Sequence, residues 1–146
     1  MPIAELMGGG ARTPRPIASS VGAKDIDETR AVIERYRSRG YVVHSVKIGG
    51  DVGRDIARIR DVEHIRRDSE TVLYDVNRSW TRQQALRVMS ATQDLGVMFE
   101  QPCETLDDIA AIAPRHTAPV SVDETLVPLP DAARVARDGI AEVFGI

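Results

Sequence analysis

Residues 71–77 read TVLYDVN. The run is short, apolar and β-prone, and polar turn residues follow it, so it reads as a β-strand. Its acid, Asp75, lies towards the C-terminal end. The arrangement recurs in VMFEQP at 97–102, which carries Glu100, and in PVSVDE at 119–124, which carries Asp123. The three acids are 25 and 23 residues apart, about one strand–helix unit each.

Outward from these strands the chain keeps the same period. Residues 16–21 (PIASSV) and 41–48 (YVVHSVKI) read as two earlier strands, and 142–146 (EVFGI) as the start of a sixth. Helical patterns fill the gaps. The first covers 26–39, with Asp25 as N-cap and Gly40 as stop. In the second, 52–67, Val52, Ile56, Ile59, Val62 and Ile65 repeat at helical spacing. A Thr81/Gln84 capping box opens the third, which stops at Gly96. The fourth, 105–113, meets Pro114, and the fifth, 130–138, meets Gly139. Repeated β–α–β units make a parallel sheet covered by helices. Two α/β architectures satisfy this pattern. A doubly wound open sheet of five strands suits 146 residues. A TIM-type (β/α)8 barrel needs about 250, so this chain would supply five units and part of a sixth. Length favours the open sheet, and the acids at the strand ends favour the barrel.

Composition narrows the function classes. Hydrophobic residues make up 42% and charged residues 28%, the balance of a globular domain and not of a disordered, collagen-like or coiled-coil chain. The 19 basic and 22 acidic residues form no block of one sign, so no basic nucleic-acid surface or polybasic membrane anchor is expected. No apolar run approaches the ~18 residues of a membrane helix. The opening MPIAELMGGGARTP lacks the basic-then-apolar pattern of a signal peptide. The single cysteine, Cys103, cannot form an internal disulfide, so a reducing cytoplasm is the expected compartment.

Neighbouring parallel strands lie about 4.8 Å apart, so acids at three successive strand ends crowd around one point and repel. A divalent cation resolves the repulsion, and hard carboxylate oxygens suit Mg²⁺. Asp75, Glu100 and Asp123 are therefore the candidate metal ligands. Each alone also reads as a helix N-cap or a salt-bridge partner. Lys47 ends the second strand, with Ser45 on its face. Positive charge beside an amine favours its neutral form, and a neutral amine is a general base; the plainer reading is a lysine reaching solvent. Asn77 lies just beyond Asp75 on the same face, placed to hold a ligand oxygen, to orient a metal ligand or to cap the turn. His44 points to the helices and reads as structural. Gly49 and Gly50 offer a phosphate cradle or a tight turn with Asp51 as N-cap. Trp80, at a helix start, reads as packing or rim. Cys103, without a neighbouring His in sequence, does not read as a nucleophile.

Together SVKIGGD at 45–51, DVNRSWT at 75–81, EQP at 100–102 and VDE at 122–124 resemble the enolase superfamily, in its mandelate racemase/muconate lactonizing branch. PIAELMGGGARTP resembles the stretch leading from that branch's capping domain into its barrel. The resemblance implies part of a (β/α)8 barrel over 15–146, a lead-in segment over 1–14, and a capping domain and last strands outside this chain. It implies Mg²⁺ on Asp75, Glu100 and Asp123, with Lys47 as acid/base and Ser45 and Asn77 lining the substrate. Ser45 stands where many members carry a second lysine. The implied reaction removes the proton α to a carboxylate and leads to dehydration, racemisation or epimerisation. HSVKIGGD with DVNRSWT most resembles members acting on hydroxyproline or proline-betaine compounds. The implied partners are a small carboxylate and either further copies or the missing barrel segments, with no nucleic acid or membrane. Two other readings compete: a remnant that folds and oligomerises without activity, and a receiver-like module. Receivers, however, gather acids from strands one and three and a lysine from strand five.

Overall fold

The computed structural model describes Glu5, residues 16–22 and residues 25–145. The lead-in segment expected over 1–14, Glu5 apart, and residue 146 lie outside the described residues. The strands are β1 (Ala18–Val21), β2 (Val43–Lys47), β3 (Thr71–Asp75), β4 (Met98–Glu100), β5 (Val120–Val122) and β6 (Val143–Phe144). Between them run α1 (Ile26–Arg37), α2 (Val52–Ile65), α3 (Arg82–Ala91), α4 (Leu106–Ile112) and α5 (Leu129–Asp138). The helices start where the capping residues dictate. Asp25 accepts from Glu28 N at 2.8 Å and Asp51 from Arg54 N at 3.1 Å, and Thr81 with Gln84 forms the full reciprocal box. The third helix stops earlier than its pattern implies: it ends at Ala91, and a tighter turn, Gln93–Leu95, carries the chain to Gly96.

All strand pairs are parallel and the order is β1-β2-β3-β4-β5-β6. This order decides between the two architectures. A doubly wound sheet reverses its strand order at a switch point, and none occurs here. Strands laid down in sequence order with a helix after each are the wall of a (β/α) barrel. The receiver-like alternative fails on the same ground. One face of the sheet carries Val21, Val46, Tyr74 and Phe99, all fully buried under the helices. On the opposite face Ser45, Lys47, Leu73, Met98 and Glu100 are only partly covered. The helix-facing core gathers Tyr74, Phe99 and Trp80 in tilted ring contacts at 6.2 and 5.6 Å.

Near the N-terminal ends of β2 and β3 the core admits charge. Glu70, buried, takes a bidentate contact from Arg37 at 2.5 and 2.6 Å and a third hydrogen bond from Arg67 N at 3.0 Å. His44 faces the helices as expected, fully buried, with Nδ1 2.7 Å from Ser19 Oγ and Nε2 3.6 Å from Glu70. The Arg37 hydrogen bonds hold the Glu70 carboxyl down to about 2, against the ordinary 4.5. A carboxyl lowered on folding stabilises the fold above its ordinary value, and that stability disappears as pH falls through the folded value. Unfolding followed from pH 7 to pH 2 is therefore expected to show stability lost progressively below pH 4.5. Glu70→Gln is expected to flatten that acid limb and to cost about 2–3 kcal/mol at pH 7, since it removes the bidentate partner of the partly buried Arg37.

Candidate active site

Strand register assembles the site. Lys47 on β2 lies beside Asp75 on β3, Asp75 beside Glu100 on β4, and Glu100 beside Ser121 on β5. Asp123 comes two residues after Ser121 and so continues the same face, in the turn after β5. Ser45 shares that face one step below Lys47, beside Leu73. One row across adjacent strands thus carries an amine and two carboxylates, with a third acid at its end.

Hydrogen bonds fix the members. Lys47 Nζ donates to Asp75 Oδ2; Asp75 is buried, while the lysine side chain is 41% exposed. The other Asp75 oxygen accepts from Asn77 N at 3.0 Å. Asn77 is past the strand, not in it: Asn77 and Arg78 have φ of 47° and 68°, and this left-handed turn ends β3 at Asp75. The Asn77 side chain reaches across to Glu124, Nδ2 to Oε1 at 3.3 Å. Asp123 Oδ1 accepts from Glu124 N at 2.6 Å. Gly145 lets the chain after β6 pass close to Asp123, where an added Cβ would stand 2.8 Å from the Asp123 Cβ.

Three residues that the sequence reading passed over hold this arrangement. Gln101, fully buried with φ 41°, accepts from Asp123 N at 3.2 Å and from Thr125 Oγ1 at 3.3 Å, and donates to Cys103 O at 3.2 Å. Glu124 receives Asn77. Asp55, buried on α2, accepts from Gly50 N at 3.0 Å and from Trp80 Nε1 at 2.9 Å. The Gly-Gly turn is therefore engaged by the chain's own carboxylate, with Asp51 as N-cap, and Trp80 packs in the core. The EQP and VDE strings did show polar residues flanking each acid, which is the signal available for Gln101 and Glu124. Cys103 is buried and its thiol is pushed up to about 11 by that burial, in keeping with no nucleophilic role.

Electrostatics single out Glu100. Burial first, then the charges of Asp75 and Asp123, push its carboxyl up to about 7, with Lys47 only partly opposing them. Glu124 is raised as well, chiefly by burial. Among the described residues no three His, Cys, Asp or Glu side chains stand together at metal-ligand spacing: Asp75 is turned onto Lys47 and Asp123 onto Glu124 N. The donor set nevertheless fits a hard cation. It is all carboxylate oxygen, drawn from adjacent strands, and Glu100 is poorly compensated among its like-charged neighbours. Asp75, Glu100 and Asp123 are the residues that could hold one.

The family profile described as enolase C-terminal domain-like matches residues 28–146. The cis-3-hydroxy-L-proline dehydratase of Roseibium aggregatum is 32% identical over 141 residues, covering 97% of this chain and 37% of the relative. A crystal structure from Silicibacter pomeroyi, of a protein assigned to the mandelate racemase/muconate lactonizing enzymes, superposes with a TM-score of 0.95 at 82% identity, over 100% of this chain and 40% of that one. A magnesium complex of an enolase superfamily member from Roseovarius nubinhibens superposes with a TM-score of 0.90 at 37% identity, over 97% of this chain and 39% of its own. The chain thus spans about two fifths of the length of the proteins it matches.

A raised carboxyl is a cost that appears as pH rises: absent below the ordinary 4.5, complete above about 7. In chelator-treated protein, Glu100→Gln is expected to raise the melting temperature at pH 8 and to leave it nearly unchanged at pH 4.5. Differential scanning calorimetry at the two pH values checks this.

Proposed function

This chain belongs to the enolase C-terminal domain-like family, and we propose that its strand ends form one wall of a Mg²⁺-dependent site that removes the proton α to a carboxylate. The observation that carries the reading is the row Lys47–Asp75–Glu100, extended by Asp123, with the Glu100 carboxyl pushed up to about 7. The magnesium complex of the Roseovarius relative and the hydroxyproline chemistry of the Roseibium relative support it.

Asp75, Glu100 and Asp123 would hold the ion. Bound there, Mg²⁺ supplies a Lewis acid for the substrate's carboxylate oxygens, where charge grows as the α-proton leaves. Lys47 takes that proton from its own side of the site and can return it. Asp75, hydrogen-bonded to both Lys47 and Asn77 N, sets the amine beside the ligand row. Ser45 and Asn77 line the substrate with neutral polar groups. With Ser45 in place of an amine, this strand brings one base, Lys47, to the site. The similarity to the Roseibium dehydratase favours loss of a β-hydroxyl from a proline-type acid as the step that follows. The sheet edges at β1 and β6 are where further barrel strands or a second copy would pair.

Mg²⁺ at a hundred times its Kd is expected to add about 2.7 kcal/mol of stability, seen as an upward thermal shift of several degrees. Asp75→Asn is expected to abolish the shift. Lys47→Ala is expected to keep it while reducing Mg²⁺-dependent solvent-deuterium exchange at the α-carbon of a hydroxyproline by at least a thousandfold. Both variants are assayed in this chain alone and joined to the C-terminal barrel segment of the Roseibium relative. No thermal shift with Mg²⁺ in either form would overturn the reading.

A further inference from the structure

We infer that Asp55 is a positioning residue: its buried carboxylate clamps the loop after β2 to the loop after β3 and thereby fixes Lys47 against Asp75. The inference rests on the role proposed above for Lys47.

Asp55 lies in the first turns of α2, yet its side chain folds back past the N-cap to the loop that follows Lys47. Its oxygens stand 3.2 and 3.3 Å from Gly49 N, and Oδ2 accepts from Gly50 N at 3.0 Å. The same Oδ2 accepts from Trp80 Nε1 at 2.9 Å. Trp80 stands at the far end of the turn that begins at Asp75 and Asn77. One carboxylate therefore joins the segment two residues after the proposed base to the segment following the proposed first metal ligand.

The two loops are also pressed together. Gly49 has φ 113°, and a Cβ there would lie 2.7 Å from Val76 O and 2.9 Å from the Ser79 Cβ. Ile48 N donates to Asp75 O at 3.0 Å, extending the strand pairing one residue past Lys47. Beyond that bond the clamp is Asp55. A helix N-cap does not account for it, because Asp51 already fills that role towards Arg54 N. Satisfying the buried indole N–H accounts for one of these contacts and not for those to Gly49 N and Gly50 N. A carboxylate suits the position for a specific reason: its N–H contacts converge from three directions, and one oxygen serves both loops. An asparagine would keep a single oxygen and turn an NH₂ towards Gly49 N, a donor facing a donor.

The chain contains one tryptophan, Trp80, and two lysines, Lys24 and Lys47, so few resonances report on the two loops. In ¹⁵N-labelled protein, Asp55→Asn is expected to move the Lys47 Nζ resonance and to speed solvent exchange of the Trp80 indole proton at least tenfold. The Mg²⁺ Kd should stay within twofold. In the joined form, kcat for α-proton exchange should fall at least tenfold with KM within twofold. Val88→Ala, a core truncation in α3, controls for lost stability and should move neither resonance. A folded Asp55→Asn protein with the parental Lys47 resonance and parental kcat would overturn the inference. So would a Val88→Ala protein showing the same changes. If the parent protein binds no Mg²⁺ and exchanges no α-proton, the proposed function fails, and the two resonances still decide whether Asp55 sets the position of Lys47.

Discussion

Parallel register is the constraint on which the rest of the structure depends. Strands laid side by side in sequence order, each returned by one helix, bring their C-terminal ends to a common height. Side chains at equal height on one face then become lateral neighbours although 25 or more residues separate them along the chain. Lys47, Asp75 and Glu100 become lateral neighbours in this way. A slip of one residue in any strand would turn its charged group to the helix side, among Val46, Tyr74 and Phe99.

The two ends of the sheet treat acids withdrawn from solvent in opposite ways. At one end Glu70 has a guanidinium in bidentate contact, and its carboxyl is held down to about 2. At the other end Glu100 has Asp75 and Asp123 for neighbours and only a share of Lys47, and it is pushed up to about 7. The first arrangement is complete within the chain and serves stability. The second leaves negative charge poorly compensated, which is the condition under which a protein gains from binding a cation.

Much of this was legible in the amino-acid sequence. The strand–helix period and the capping residues Asp25, Asp51 and Thr81 are local patterns, and the structure places them as expected; Asp75 and Glu100 close their strands, and Asp123 lies one residue past its own. Strand order was not legible in the periodicity, which says which segments are strands and not which neighbours they choose; the resemblance implied a barrel wall, and the structure bears that out. Strand ends were misjudged by a residue or two at Asn77 and Asp123, where left-handed backbone or a side-chain-to-backbone turn stops the ladder. Gln101, Glu124 and Asp55 escaped notice for a common reason. Each acts by hydrogen-bonding a loop of a different strand–helix unit, and nothing in the spacing along the chain records which loops touch.

Among the described residues, the non-glycine positions with positive φ are Asn77, Arg78 and Gln101, and all three lie in the turns that directly follow Asp75 and Glu100. Side chains rarely tolerate this backbone region, so the surrounding contacts must impose it. Among the described residues, backbone held in this sparsely populated region is therefore gathered at one rim. That rim should be the first part to loosen on warming, well before the helix-covered side gives way. Variants selected only for heat resistance would tend to ease these turns, and in easing them would blunt the edge proposed to meet the substrate.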